Sequence, residues 1–330
     1  MGKQKRFFTL TLILIGVIMA GCSGGGSSSN PPNRVISGSV TSSGTGLQGV
    51  KMLLSGEVTD SNETDANGKY SFGGLPDGNY TITPTKSGYA DRPRAATRTI
   101  KGADIAEVNF AAIPSSPVFY VVDDQGGLGT VDIATSEVRV IGTTQNGTEP
   151  IIMTDIAFDE NGNLYGISGD KLHRIDKATA AVTPVGFHHL TYATSLVFSN
   201  DGTKAFTASS TLFTINTATA ETTLLGNGND AYSSSGDLAF IGNNLYLTSK
   251  KADNPDDNYL VKIDTLTGKG TIVGTIGYPD VFGVATSDNV QLYGFSGTRV
   301  ITINTSTGAG SVVLDIAGKG LGNINGAAFD

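Results

Sequence analysis

Two aspartates and a set of loop residues are the parts of this sequence whose types and spacing suit ligand chemistry. Asp155 and Asp237 each begin a short apolar run that ends in Phe, within a series of five similar runs. These runs predict strands at residues 155–158, 195–198, 237–240, 283–286 and 326–329. Carboxylate oxygens at equivalent places in a ring of strands are ligands that a hard cation such as Ca²⁺ accepts. Serine and glycine fill the other three places, so the two aspartates also fit the turns that enter the strands.

The segments before these five runs carry side chains that suit a carbohydrate or peptide ligand. If the runs are the innermost strands of a ring, the preceding loops surround one mouth of its central channel. Aromatic faces and amide groups around such a concavity provide stacking and hydrogen bonds. The alternative is that the tyrosines pack between neighbouring sheets. The predicted ligand-binding residues are His189, Tyr192, Tyr232, Tyr278, Asp280, Asn323 and Asn325.

The sequence has no signature of the common enzyme classes. It contains no nucleophile elbow joining a strand to a helix, no Walker-type or dinucleotide loop, and its one cysteine, Cys22, is near the N-terminus. His188 and His189 are adjacent, so on a strand they face opposite ways, and only His173 remains for a zinc site. We therefore expect a protein that is not an enzyme and has no cofactor, with calcium left open.

The chain is acidic and has an ordinary globular composition. Of its 330 residues 38% are hydrophobic, and 30 Asp and Glu against 22 Lys and Arg give a formal net charge of −8. An acidic chain without a basic stripe is repelled by phosphate backbones, so we expect no nucleic-acid partner. The length allows about two domains, and we expect a monomer.

The N-terminal segment has the order of an export signal. Lys3, Lys5 and Arg6 precede a mostly apolar run over residues 7–20, which is shorter than the roughly 20 residues of a spanning helix. Residues 19–22, Met-Ala-Gly-Cys, resemble the lipobox of bacterial lipoproteins. The resemblance implies that residues 1–21 are a signal peptide, that Cys22 is acylated, and that this lipid is the membrane anchor.

The residues after the cysteine indicate where such a lipoprotein resides. Residues 22–33 are rich in Gly, Ser and Pro, which predicts a lipidated flexible tether. Ser23 stands where Asp is the familiar signal for retention at the inner membrane. This implies a lipid-anchored protein of the cell envelope, in the outer membrane, on its periplasmic or surface face.

Residues 34–112 contain short β-favouring runs between Gly, Asn and Asp turns, which predicts a small Greek-key β-sandwich. Residues 36–40, 64–72, 75–80 and 86–89 resemble the carboxypeptidase regulatory-like domain, a transthyretin-like sandwich related in fold to starch-binding modules. The resemblance implies a stability or adhesion module without catalytic residues. Asp65 and Asn67 could hold calcium, but turn chemistry accounts for both.

Residues 117–330 contain a fivefold repeat. The aligned positions are 44, 40, 48 and 40 residues apart, close to the roughly 40 to 50 residues of a four-stranded propeller blade. The pattern resembles NHL-type and related WD-like propeller repeats, most closely at residues 158–165, although the chain has no Trp. The aligned apolar positions are Val131, Ile175, Ile215, Ile263 and Ile303.

The order of the strand classes predicts how this ring closes. Each repeat contains its strands in the same order. Residues 117–330 start on a strand of the second place in that order and end on a strand of the first place, so residues 326–329 must complete the sheet that residues 119–122 begin. Such a join protects sheet edges that would otherwise be open. The predicted architecture is all-β: a sandwich followed by a five-bladed β-propeller closed by its C-terminal strand.

Two interaction-type folds without a catalytic constellation predict a non-catalytic lipoprotein of the cell envelope. Its propeller would bind a protein or carbohydrate partner. The alternative is a calcium-dependent propeller hydrolase or lyase that uses Asp155, Asp237 and His189 at the channel mouth. The fold alone does not decide between them.

Overall fold

The computed structural model describes residues 33–42, 44–86, 88–114, 117–191, 193–226, 232–250 and 257–330. All regular secondary structure in these ranges is β-strand, as predicted for an all-β protein. No helix in these ranges is long and apolar enough to span a membrane. Cys22, the predicted signal peptide, most of the predicted tether and Tyr192 lie outside the described residues.

The first nine strands form two sheets around one apolar core. They are β1 (Arg34–Ser42), β2 (Thr45–Gly46), β3 (Lys51–Gly56), β4 (Asp60–Glu63), β5 (Lys69–Leu75), β6 (Gly78–Thr85), β7 (Tyr89–Arg92), β8 (Ala96–Ile100) and β9 (Phe110–Pro114). One sheet has the order β2-β1-β9-β7, with β5 also paired to β1, and the other has the order β4-β3-β6-β8. Alternate residues of a strand face the core, as Met52 and Leu54 of β3 and Tyr70 and Phe72 of β5 do.

The turn at residues 65–68 follows from its residue types. The Asp65 carboxylate accepts hydrogen bonds from the backbone N–H groups of Asn67 and Lys69, both at 2.8 Å. Gly68 has a φ of 73°, a conformation that costs glycine little. Turn geometry thus occupies the Oδ1 atom of the Asp65 carboxylate.

The remaining strands form five four-stranded sheets and one short ribbon. They are β10 (Val118–Asp123), β11 (Gly127–Asp132), β12 (Val138–Thr143), β13 (Gln145–Asn146), β14 (Glu149–Pro150), β15 (Asp155–Phe158), β16 (Leu164–Ser168), β17 (Lys171–Ile175), β18 (Val182–Phe187), β19 (Ser195–Phe198), β20 (Ala205–Ala208), β21 (Leu212–Ile215), β22 (Thr222–Leu224), β23 (Ser234–Ile241), β24 (Asn244–Lys250), β25 (Asn258–Ile263), β26 (Gly270–Thr275), β27 (Val281–Ala285), β28 (Leu292–Ser296), β29 (Arg299–Ile303), β30 (Gly310–Asp315) and β31 (Ile324–Ala328).

Each four-stranded sheet is antiparallel with one strand innermost. Sheet 1 has the order β31-β10-β11-β12, and sheets 2 to 5 are β15-β16-β17-β18, β19-β20-β21-β22, β23-β24-β25-β26 and β27-β28-β29-β30. The innermost strands β15, β19, β23 and β27 contact one another in sequence, and β31 contacts both β27 and β15. An apolar cluster fills each gap between neighbouring sheets. The arrangement is propeller-like.

A repeated turn explains the polar residue that follows the aligned apolar position. In all five sheets an Asp or Asn at the end of the third strand accepts a hydrogen bond from the backbone N–H two residues later. This side-chain turn leads the chain into the fourth strand. The five residues are Asp132, Asp176, Asn216, Asp264 and Asn304.

The sandwich packs directly on the propeller-like unit, and the described residues of both belong to one compact unit. Thr83 donates a hydrogen bond to Asn243, and the backbone N–H of Gly88 donates to Asp288. The Nη2 atom of Arg94 donates to the carbonyl oxygen of Phe329 at 2.6 Å. These contacts involve residues that follow the innermost strands, so the sandwich covers the ends of those strands. We term this side of the propeller-like unit the seam end.

Candidate functional site

The opposite side of the propeller-like unit, where the innermost strands begin, is termed the upper mouth. It holds a cavity of about 200 Å³ that is lined by one residue from each sheet, immediately before the first inward position of the innermost strand. The five residues are Thr154, Thr194, Gly236, Phe282 and Asn325. The repeat therefore brings equivalent positions together around one concavity.

Most hydrogen-bond donors of the upper mouth are directed into the protein. The hydroxyl of Thr154 donates to the Ile167 carbonyl at 3.1 Å, and that of Thr194 donates to the Gly236 carbonyl at 3.1 Å. The Asn325 amide nitrogen donates to Met153 O at 3.2 Å. The threonine methyl groups, the Phe282 ring and the Asn325 amide oxygen are what remain for a ligand.

A groove of about 280 Å³ adjoins the upper mouth and shares Phe282 and Asn325 with it. Three predicted ligand-binding residues, Asp280, Asn323 and Asn325, line this groove. The Asn323 amide nitrogen donates to the Asp124 carboxylate at 2.9 Å, which leaves the amide oxygen of Asn323 free to accept a further hydrogen bond. Part of the site predicted from the loops is therefore one continuous surface.

Lysine and arginine side chains add positive charge to this groove. Lys250 lies 3.6 Å from Asp280 and places its Nζ 5.6 Å from the centre of the Phe282 ring. Arg299 lines the groove itself. Sequence reasoning missed Arg299 because it considered only the loops before the innermost strands. In an antiparallel sheet, the loop between the second and third strands emerges at the same end.

The two predicted tyrosines that the structure describes lie between sheets. Tyr232 is buried between sheets 3 and 4, and its hydroxyl donates to the Gly268 carbonyl at 2.9 Å. Burial raises the pKa of Tyr232 to about 12. Tyr278 is half-buried and packs in the cluster between sheets 4 and 5. Neither ring lines the upper mouth or the groove.

His189 lies after the outermost strand of sheet 2. Its exposed ring stacks on Phe187 with 5.9 Å between ring centres, and the Lys171 Nζ lies 5.1 Å from the Phe187 ring centre. His188 is buried, and its Nδ1 accepts the N–H of Leu190 at 3.2 Å. Neither histidine lines the upper mouth or the groove.

Asp155 and Asp237 are buried side chains that connect neighbouring sheets. Asp155 accepts the backbone N–H of Leu196 in sheet 3, and Asp237 accepts that of Val284 in sheet 5 at 2.8 Å. Each also accepts the N–H of its own next residue. The two carboxyl groups also influence each other, since the charge of Asp237 adds to burial in raising the pKa of Asp155. In this structure the two carboxyl groups link neighbouring innermost strands by hydrogen bonds.

Burial governs the protonation of this pair. Removal from water raises the pKa of Asp237 to about 7 and raises that of Asp155 well above its usual range. Because both pKa values are raised, the pair keeps protons at pH values where exposed carboxyl groups are ionised, and a protonated carboxyl group can donate to its neighbour. Among the described residues, no group of three or more His, Cys, Asp or Glu side chains is placed to hold a metal ion.

Comparison with known proteins identifies the first part of the chain. Residues 35–112 match the model of the carboxypeptidase regulatory-like domain, which confirms the resemblance of that segment. A search of curated proteins found no match.

Three solved structures resemble the chain at low identity. The nidogen/laminin complex is 11% identical, covers 85% of this chain and 98% of its own, and has a TM-score of 0.42. The hydrazine synthase of Kuenenia stuttgartiensis is 16% identical, with coverages of 57% and 59% and a TM-score of 0.35. A protein of unknown function from Bacteroides caccae is 13% identical, with coverages of 60% and 72% and a TM-score of 0.38.

Proposed function

We propose that this chain is a non-catalytic binding protein of the cell envelope, in which a five-bladed propeller presents its upper mouth to a protein or carbohydrate partner. The observation that carries the proposal is the concavity to which all five sheets contribute one residue, continuous with a groove lined by Arg299 and Asn323. An aromatic face beside amide and charged groups suits a polar chain such as a glycan or peptide.

The contacts among the innermost strands support this proposal. We take sheets 1 to 5 as the five blades and β31 as the strand that closes the ring, because β31 pairs with β10 and contacts β27 and β15. We take the first nine strands as a Greek-key sandwich. Because the sandwich covers the seam end, a ligand at the upper mouth meets a channel that is open from one side only.

Binding at the upper mouth predicts a specific pattern of mutational effects. Arg299→Ala and Asn325→Ala should each weaken partner binding at least tenfold, about 1.4 kcal/mol, because each removes a polar contact of the groove. Arg139→Ala, at an exposed arginine of the edge strand β12, is the matched control and should have no effect. A glycan array and a pull-down from envelope extracts provide the measurements, and their two arms separate a glycan from a protein partner.

Two outcomes contradict the proposal. One is an array and a pull-down that both stay blank for the wild-type chain. The other is a partner whose affinity is the same for the wild type, Arg299→Ala and Asn325→Ala.

We also propose that acylated Cys22 anchors the chain to the membrane. The support is the order of charge, apolar run and small residues before the cysteine. Cys22→Ser should shift the protein from the membrane fraction to the soluble or uncleaved pool, and the N-terminal peptide should lose its lipid mass. A wild-type N-terminal peptide that carries no lipid mass would refute the anchor.

A further inference from the structure

The segment at residues 92–94 places two arginines at the seam between the sandwich and the propeller-like unit. Arg94 reaches the axis of the channel, where it lines a cavity of about 40 Å³ together with residues of all five innermost strands. Its guanidinium lies 5.8 Å from the Phe329 ring centre and donates to the Phe329 carbonyl. One arginine of the sandwich therefore closes the seam end of the channel.

The positive charge at this seam has no direct counter-ion. Within the described part of the chain, neither Arg92 nor Arg94 has a carboxylate oxygen within 4 Å. A guanidinium has five N–H donors, and Arg94 makes one hydrogen bond. Burial, with the neighbouring Arg92 as the second cause, lowers the pKa of Arg94 to about 10, and the more distant charge of Asp330 offsets only part of this shift. Two like charges in a partly enclosed place are stabilised by an anion between them.

A cavity large enough for a small molecule lies beside both arginines. It measures about 380 Å³, which falls within the roughly 300 to 1,000 Å³ of typical ligand pockets, and it lies at a domain interface, where such pockets are common. The sandwich contributes residues 92–94 to its wall. Sheets 2 and 3 contribute the loops that follow their innermost strands, including Asn161 and Asn200.

The polar residues that line the cavity beside the two arginines determine which other groups a ligand can carry. Asn200 uses its amide nitrogen on the Gly242 carbonyl, so its amide oxygen faces outward as an acceptor, and Asn161 makes no side-chain hydrogen bond among the described residues. The Asp159 carboxylate is fully used by its own turn, and Glu160 is exposed. The amide oxygens can accept hydrogen bonds from hydroxyl groups of the ligand, and the negative charges of Asp159 and Glu160 repel a second negative charge on it.

We propose that this cavity is a second binding site, for a small organic carboxylate that also carries hydroxyl groups. The carboxylate lies between Arg92 and Arg94, and its hydroxyl groups meet Asn161 and Asn200. Bidentate pairing with a carboxylate is the geometry that guanidinium groups favour. Because the ligand touches both domains, its binding stabilises their docked arrangement. The site lies at the opposite end of the channel from the upper mouth and does not depend on the function proposed there.

The test uses the full mature chain with four probes: glucuronate, acetate, glucose and inorganic phosphate. Glucuronate should bind with a Kd of about 1 mM or below in calorimetry and raise the thermal midpoint by about 2 °C or more. Glucose, the neutral counterpart of similar shape, should do neither. Acetate should bind more weakly than glucuronate because it lacks the hydroxyl groups.

Variants tie that binding to the seam. Arg92→Gln should weaken glucuronate binding at least tenfold, and Arg94→Met should abolish it. Arg92 makes no side-chain hydrogen bond or ion pair among the described residues, so Arg92→Gln carries the test even if Arg94→Met does not fold. Arg139→Gln is the matched surface control, and Asn325→Ala should leave glucuronate binding intact.

Three results would overturn the proposal. The first is the absence of both heat and midpoint shift with glucuronate. The second is glucuronate binding that Arg92→Gln leaves unchanged. The third is phosphate or glucose that binds as tightly as glucuronate, since either would exclude a site selective for hydroxylated carboxylates.

Discussion

Deletion of residues 322–330 is expected to destroy the cooperative unfolding of the propeller-like unit. The deletion removes β31, which is the innermost strand of sheet 1 and pairs with β10 from Tyr120 to Asp123. It also removes the buried side chain of Ile324, and loss of a buried Ile alone costs about 2 to 5 kcal/mol. Total stabilities are about 5 to 15 kcal/mol, so the combined loss approaches the whole. We expect the thermal midpoint to fall by at least about 10 °C.

Lys177→Ala shows how much of this loss of stability comes from the terminal ion pair and how much from the strand β31. Lys177 pairs with Asp330, which the deletion also removes, and both side chains are more than a third exposed. An exposed pair contributes at most about 1 kcal/mol, so Lys177→Ala should move the midpoint by only a few degrees. Calorimetry of both variants beside the wild type makes the comparison. A deleted chain with the wild-type midpoint would show that β31 does not close the ring.

The strand pattern was readable from the sequence because the same local physics recurs in each repeat. The strands predicted at Asp155–Phe158 and Ser195–Phe198 have those bounds in the structure. Those at the starts of sheets 4 and 5 differ by a few residues at their ends. Alternation of buried residues, and an Asp or Asn turn after the third strand, act within a few residues of each position. Such signals need no knowledge of the distant chain.

The binding surface was predictable only where it follows from loop position. Asn323 and Asn325 line the groove because they stand just before the first inward position of β31. The place of Tyr232 depends instead on Gly270, where a Cβ atom would lie 2.4 Å from the tyrosine ring. The missing side chain of Gly270, 38 residues away in sequence, leaves room for that ring between two sheets. A missing side chain so far away in sequence gives no signal in the residues around Tyr232.

The seam was not predictable from any pattern in the chain. Its contacts join residues far apart in sequence, such as Thr83 with Asn243 and Arg94 with Phe329. They are single polar pairs, not a periodic apolar face. The sequence marks Arg94 as one more surface charge in a sandwich loop, and only the docked domains place it at the channel axis.

The pairing of Asp155 with Asp237 could not be predicted from the sequence either. This pairing predicts how the stability of the fold depends on pH. An acid whose pKa is higher in the folded state binds its proton more tightly there. Its contribution to stability is therefore greatest below the unfolded pKa of about 3.9 and is lost as pH rises towards the folded value of about 7. Asp91, buried at the seam with its pKa raised to about 7, acts in the same direction. We expect these acids to lower stability by several kcal/mol between pH 4 and pH 7.

Other groups change the wild-type curve but not the comparison between variants. Burial lowers the pKa of His173 to about 4 and lowers that of His188, and these histidines destabilise the fold as pH falls below about 6.5. Their contribution has the opposite sign to that of the aspartates. Because both histidines remain in every variant, the difference in midpoint between wild type and an aspartate variant isolates the carboxyl pair.

Asp237→Asn is expected to flatten the dependence of the thermal midpoint on pH between 5 and 8. The amide is neutral at every pH and keeps a donor for Asp155, but it gives up the acceptor for the Val284 N–H. The variant should therefore be less stable than the wild type at pH 5, by about 1 to 3 kcal/mol, and the gap should narrow or close at pH 8. Ser195→Ala, at the equivalent uncharged place in sheet 3, should shift the midpoint equally at both pH values.

A gap in stability between wild type and Asp237→Asn that stays constant or widens with pH would mean that the two carboxyl groups do not share a proton. The pair would then be ionised or neutral throughout, and its hydrogen bonds to Leu196 and Val284 would not depend on pH.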